Sequence, residues 1–175
     1  IQSFNLWEGQ REFIAEAFKD GENQFKDGNF SRSDTQLCLE VVDLDLYQTL
    51  NGFVKKAFEQ YTSVYSGILQ NNDPVSTWTT KVQKTKAGGG YHQWHCENGQ
   101  FLYRDRVLAW MVYLNTVPSQ SGGGTDFLHQ KLTLQPEAGT IVLWPASYTH
   151  VHRGGFLTGN VDKYIATGWF IREPT

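Results

Sequence analysis

Cysteine is scarce in this 175-residue chain: Cys38 and Cys96 stand far apart, and neither has another cysteine beside it. That excludes a disulfide framework and a thiolate zinc cluster, and it makes a reducing compartment, the cytoplasm, the expected setting. No apolar run approaches the roughly 20 residues that a membrane helix needs. No leader pattern opens the chain at Ile1 either, so a soluble protein with no membrane partner is expected. Charge of one sign is also in short supply. Fifteen bases against eighteen acids leave a net of −3, too weak a basic field for nucleic acid to be an expected partner.

Repeats and long linkers are absent as well. With 39% hydrophobic and 14% aromatic residues, the length fits one domain that buries a substantial core. Charge is unevenly spread: residues 1–60 carry eleven acids and six bases, residues 61–175 seven acids and nine bases. In the second part Lys81, Lys84 and Lys86 cluster, and we read them as a solvated strand edge.

Leu46, Leu50, Phe53, Val54, Ala57, Phe58 and Tyr61 recur at helical spacing, which predicts an amphipathic helix capped at Asp43 or Asp45. A shorter helix is expected over residues 8–18. From Thr77 onward short β-rich runs broken by Gly and Pro predict strands over 106–115, 128–134, 140–144 and 163–171. The expected fold is mainly β with N-terminal α-helices, a double-stranded β-helix or jelly roll. Residues 1–175 form one domain in this reading, 1–76 as helical and mixed support and 77–175 as the jelly-roll core. The glycine-rich runs 87–90 and 118–124 are candidate lids as well as ordinary turns.

Four of the five histidines fall in two tight pairs, His92 with His95 and His150 with His152. Read as a strand, residues 91–97 place His95 and Glu97 on one face, because side chains two apart point the same way. A second imidazole from the later pair would complete two nitrogens and one carboxylate on one side of a metal, the open arrangement of non-haem Fe(II) oxygenases. On a strand His150 and His152 face alike, so either is a candidate. His92 alternates to the opposite face and is read as exposed or packed, His129 as structural, and Cys96 as a small packed residue pointing away. Trp94, Trp110, Trp144 and Trp169 are read as core.

Downstream stand Arg106-Val-Leu-Ala-Trp-Met-Val-Tyr-Leu-Asn115, Gly122-Gly-Gly-Thr-Asp-Phe127, Leu134-Gln-Pro-Glu-Ala-Gly-Thr-Ile-Val-Leu-Trp-Pro145, then His152, Lys163 and Trp169. In that order these segments resemble the prolyl 4-hydroxylase-like branch of the 2-oxoglutarate and Fe(II)-dependent dioxygenases, over roughly residues 80 to 171. The resemblance implies that His95, Glu97 and His152 bind iron. It also implies that Lys163 pairs with the far carboxylate of 2-oxoglutarate and that the Tyr113 hydroxyl helps hold it. His152 suits the downstream lysine better than His150, which is left beside the site. Two features depart from the family pattern. The usual carboxylate ligand is aspartate rather than glutamate, and Lys163 follows His152 by eleven residues where the family shows ten.

The activity so implied is hydroxylation of an unactivated C–H bond, peptidyl proline among the candidates, with release of succinate and CO2. The cofactors are Fe(II) and 2-oxoglutarate, with ascorbate as an accessory reductant, and the partner is a small-molecule, peptide or protein substrate. The residues alone leave two other classes open: a cupin-like metalloenzyme that does not use 2-oxoglutarate, and a non-catalytic jelly-roll module that binds metal or ligand.

Overall fold

The computed structural model describes residues 2–3, 25–27, 32–70 and 74–173, the first two segments as backbone only. Eleven strands in these segments are β1 (Gln2–Ser3), β2 (Phe25–Asp27), β3 (Arg32–Cys38), β4 (Val75–Thr85), β5 (Gly90–Tyr91), β6 (Arg106–Tyr113), β7 (Thr125–Phe127), β8 (Leu132–Leu134), β9 (Thr140–Pro145), β10 (His152–Gly154) and β11 (Lys163–Arg172). Among the described residues two α-helices precede β4: α1 (Leu39–Val42) and α2 (Leu44–Val64). The helix expected over 8–18 lies outside the described residues.

Every strand pairing is antiparallel. The large sheet has eight strands in the order β1-β9-β6-β11-β4-β3-β2, with β5 also paired to β3, and the small sheet runs β10-β7-β8. These curled, mostly β layers are the jelly roll that the sequence predicts. β1, β2 and β3 continue the large sheet, so the N-terminal segment supplies strands to it as well as helical support.

The large sheet is buried on both faces. On β6, Leu108, Trp110 and Val112 point to one side, and Ala109, Met111 and Tyr113 to the other. The first side receives α2. That helix starts where the Asp43 carboxylate accepts the Leu46 amide hydrogen at 2.8 Å, filling one of the donor positions a helix start leaves open. Leu46, Leu50, Val54 and Ala57, spaced at turns of the helix, then form its buried stripe. Phe58 stacks on Phe170 of β11 at 4.2 Å between ring centroids. The second side, with Trp144, Ile165 and Trp169, lines the interior of the roll.

β11 passes under Trp110 at Gly168. A Cβ there would lie against the Thr79 carbonyl oxygen and 2.6 Å from the Trp110 ring. Opposite it, the β4 register skips Thr79, whose φ is 49°; this bulge turns the Thr79 hydroxyl and the Thr80 amide onto the Glu40 carboxylate at 2.7 and 3.2 Å.

Two strand expectations are corrected. Over 128–134 only Leu132–Leu134 is a strand. Residues 128–131 make the turn from β7, with Lys131 at φ 52°, so His129 sits exposed in a turn. Over 91–97 the strand ends at Tyr91, and His95 makes an isolated bridge to His152 instead. Lys81 also departs from the solvated-edge reading. β4 is an interior strand between β11 and β3; Lys84 pairs outward with Asp162 at 3.1 Å, whereas Lys81 faces inward.

Candidate metal centre

Inside the roll lies a cavity of about 420 Å³, lined on one side by β11 and β4 and on the other by the 91–97 segment and β10. His152 opens β10, where Phe127 of β7 is its partner. Its amide and carbonyl also exchange hydrogen bonds of 2.9 and 3.0 Å with those of His95. Two residues on, the amides of Glu97 and Asn98 donate to the Ala146 carbonyl at 2.9 and 3.2 Å. These backbone bonds, rather than a continuous strand, bring His95 and Glu97 together.

The three side chains meet. Glu97 Oε1 lies 3.1 Å from His152 Nε2 and 3.5 Å from His95 Nε2, and one donor atom from each residue lies within 4.8 Å of the other two. Each imidazole is oriented from behind. His95 Nδ1 is 2.9 Å from the Gln93 carbonyl and His152 Nδ1 is 2.9 Å from the His150 carbonyl. A nitrogen facing a carbonyl oxygen carries the hydrogen, so in the neutral ring each Nε2 presents a lone pair. Two lone pairs and a carboxylate oxygen converging on one point suit a cation between them. Two imidazole nitrogens and one carboxylate oxygen are the donor set of an open Fe(II) centre, so the residues fit that ion.

The other carboxylate oxygen is held from the opposite side. Trp169 Nε1 donates to Glu97 Oε2 at 2.8 Å, and Arg106 Nη1 donates to it at 3.3 Å. Arg106 is itself packed between the Trp169 and Tyr103 rings, 3.6 and 3.9 Å from their centroids. Burial raises the Glu97 pKa, but the two imidazoles outweigh it by hydrogen bonding and charge when they carry a proton on Nε2, a place a bound cation would take, and hold the carboxyl well below the usual range. The extra methylene of glutamate is accommodated with one oxygen turned to the imidazoles and one to the indole.

Further along β11 Lys163 is buried, and its ammonium donates to the Gly123 carbonyl at 2.7 Å. Desolvation lowers its pKa to about 8, against a small upward pull from Asp34. Tyr113 is fully buried and does not line the cavity; its hydroxyl donates to Thr125 Oγ1 at 2.8 Å, and Thr125 does line it. Burial pushes the Tyr113 phenol upward despite that bond, so it stays protonated.

The remaining histidines lie apart from this group. His150 sits on a short 3-10 turn beside Thr149, 3.1 Å from its hydroxyl, and His92 packs on Phe156 at 3.7 Å between rings. Cys96, read from sequence as pointing away, lines the cavity.

Sequence reasoning missed Arg106 and Trp169 as supports of Glu97, and Arg32, Asp34 and Lys81 as cavity wall. For Lys81 a signal was present: alternation along β4 puts Lys81, Gln83 and Thr85 on one face and Lys84 on the other.

A comparison with curated protein sequences finds no match. Among solved structures, the prolyl hydroxylase from Trichoplax adhaerens, in complex with a hypoxia inducible factor oxygen degradation domain peptide fragment, superposes with a TM-score of 0.77 at 16% identity. That match covers 98% of this chain and 82% of that one. The viral collagen prolyl hydroxylase of Paramecium Bursaria Chlorella virus-1, solved with 2OG, gives 0.70 at 20% identity over 99% and 94% of the two chains. A Pseudomonas putida prolyl-4-hydroxylase gives 0.71 at 19% over 99% and 91%. At such identities these likenesses show the fold. The sequence pattern of the 2OG-Fe(II) oxygenase superfamily matches residues 80–171, the stretch holding all three converging side chains and the buried lysine. A converging pair of imidazoles and a carboxylate, set inside a jelly roll and within that match, places this chain in the 2OG-Fe(II) oxygenase superfamily.

Proposed function

We propose that this dioxygenase hydroxylates an unactivated C–H bond of a peptide or small molecule, a prolyl ring being the first candidate, with His95, Glu97 and His152 as its iron ligands. The single observation carrying this reading is the convergence of two Nδ1-anchored imidazoles on one oxygen of a carboxylate whose other oxygen is bound by Trp169 and Arg106. The prolyl part of it is supported by the fold shared with prolyl hydroxylases.

When bound, Fe(II) and 2-oxoglutarate together reduce dioxygen, one oxygen atom leaving in succinate with loss of CO2 and the other entering the substrate C–H bond as hydroxyl. The chain's own residues supply placement. In this reading Lys163 binds the far carboxylate of 2-oxoglutarate: a buried ammonium whose one hydrogen bond among the described residues is to a carbonyl gains most from a carboxylate partner. Thr125 offers its hydroxyl beside it, and Tyr113, behind Thr125, donates to that hydroxyl and sets its direction. Met111, Trp144 and Ile165 give the wall its apolar patches, which limit the water beside the reacting centre.

The test is anaerobic. Fe(II) and 2-oxoglutarate added together should give a weak visible charge-transfer band, and admitting oxygen should then release succinate. Full metal loading without that band would sink the proposal.

A further inference from the structure

The charges on the cavity wall do not balance. Among the described residues four cationic side chains line it, Arg32, Lys81, Arg106 and Lys163, against two carboxylates, Asp34 and Glu97. Arg106 is engaged by Glu97 at 3.3 Å. Asp34 accepts from Arg32 Nε at 2.9 Å and from Gln36 Nε2 at 2.8 Å. Lys163 answers to 2-oxoglutarate in the reading above. A ferrous ion and a 2-oxoglutarate dianion cancel each other, so loading the site leaves the positive excess in place.

Lys81 is where that excess is concentrated. Its ammonium lies 5.3 Å over the Trp169 ring, the same ring that holds Glu97, and so close to the metal end of the cavity. Among the described residues no carboxylate is within ion-pair distance of it. Burial lowers its pKa first, and the nearby Arg32 and Arg106 cations lower it further; Cys38 and Asp34 oppose them. An amine in that position gains from an incoming anion by Coulomb attraction and by a charge-assisted hydrogen bond.

Lys81 and Lys163 cannot share one ligand group. Across the β4–β11 ladder Lys81 faces Thr167, and Lys163 faces Thr85. Four residues of strand separate the two positions, roughly 13 Å at 3.3 Å per residue. One lysine stands at each end of the space, and the cross-strand pair Gln83 and Ile165 lies between them.

We propose that Lys81 is a specificity-determining residue that binds a carboxylate of the substrate, so that the preferred substrate carries that group close to the C–H bond to be oxidised. Two sources share this chemistry: the α-carboxylate of a free amino acid or chain-terminal residue, and the side chain of an acidic residue beside the target in a peptide. One ammonium, flanked by a guanidinium already bonded to Asp34, matches a monoanion. The inference rests on the oxygenase reading of the site.

The experiment measures succinate release above the substrate-free rate with matched acid and amide probes. Free L-amino acids including proline are compared with their carboxamides, Ac-Pro-Gly-OH with Ac-Pro-Gly-NH2, and Ac-Asp-Pro-NH2 with Ac-Asn-Pro-NH2. Stimulation is expected from acid members, at least tenfold above their amides, and which pair responds tells the two sources apart. Lys81→Met should lose that preference through a KM at least tenfold higher, while Lys81→Arg keeps most of it. Both variants should still form the anaerobic Fe(II)–2-oxoglutarate band, which shows that the fold and cosubstrate site survive. Equal stimulation by amides, an unchanged preference in Lys81→Met, or no response to any acid while the band forms would overturn this inference alone. Absence of the band in the parent protein would overturn the oxygenase reading and this inference with it.

Discussion

The indole nitrogen of Trp169 donates a 2.8 Å hydrogen bond to Oε2 of Glu97, the oxygen turned away from the two imidazoles. A tryptophan that composition alone assigns to the core therefore aims a carboxylate at the metal centre. Trp169→Phe keeps the packing against Ile165 and β4 but deletes that donor, leaving Arg106 alone at 3.3 Å. Losing an outer hydrogen bond to a ligand typically costs 10- to 100-fold in metal affinity. Titration with Fe(II) or Mn(II) should show a loss in that range; wild-type affinity in the variant would mean that Arg106 is sufficient.

His152 and His150 separate cleanly. His152 is buried with Nε2 facing Glu97, whereas His150 sits on the 3-10 turn against Thr149. His152→Ala should abolish metal binding and turnover, and His150→Ala should retain a large part of both. Metal content of the purified variants and succinate release read the difference, and reversed phenotypes would contradict the ligand set.

Lys163 carries a pH prediction. Its folded pKa is lowered to about 8 from 10.5, so without an oxo-acid the folded state binds the proton less tightly than the unfolded one. Stability from this group thus rises with pH between about 8 and 10.5 and is lost as pH falls through that window. Binding of 2-oxoglutarate has the opposite sign because it needs the ammonium. Its affinity should be flat below about pH 8 and weaken toward tenfold per pH unit above it. In Lys163→Met the affinity should be low and without that dependence. Band intensity against pH measures it, and a flat profile to pH 10 in the parent would refute the pairing.

Gly168→Ala tests the packing under the bulge. The new methyl would meet the Thr79 carbonyl and come within 2.6 Å of the Trp110 ring, and neither is the free end of a flexible side chain. Overpacking of this kind costs roughly 1–3 kcal/mol, occasionally more. Thermal denaturation should show a clear fall in Tm, and an unchanged Tm would indicate that β4 yields without strain.

What was legible in the sequence follows from where one physical pattern acts alone. α2 and β6 are single periodicities set by burial, so residues 46–61 and 106–115 announced them within a few positions. The 91–97 segment failed as a strand because its order comes from two partners distant in sequence, His152 and Ala146, which no local alternation encodes. The expected meeting of His95 and Glu97 survived that error because the residue types, not the backbone state, carried the signal. Lys81 was obscured by Lys84 and Lys86: three lysines in six positions look like a charged edge until pairing on both sides of β4 is known. The Tyr113 hydroxyl was expected at the far carboxylate of 2-oxoglutarate, but only packing reveals that Thr125 stands between it and the cavity.

The reciprocal amide exchange between His95 and His152 means that neither residue's backbone can drift from the centre without releasing the other's. An ion gripped by both side chains therefore also staples the small sheet to the 91–97 segment. Chelation should loosen these two regions together, as matched gains in amide hydrogen exchange on that side of the barrel.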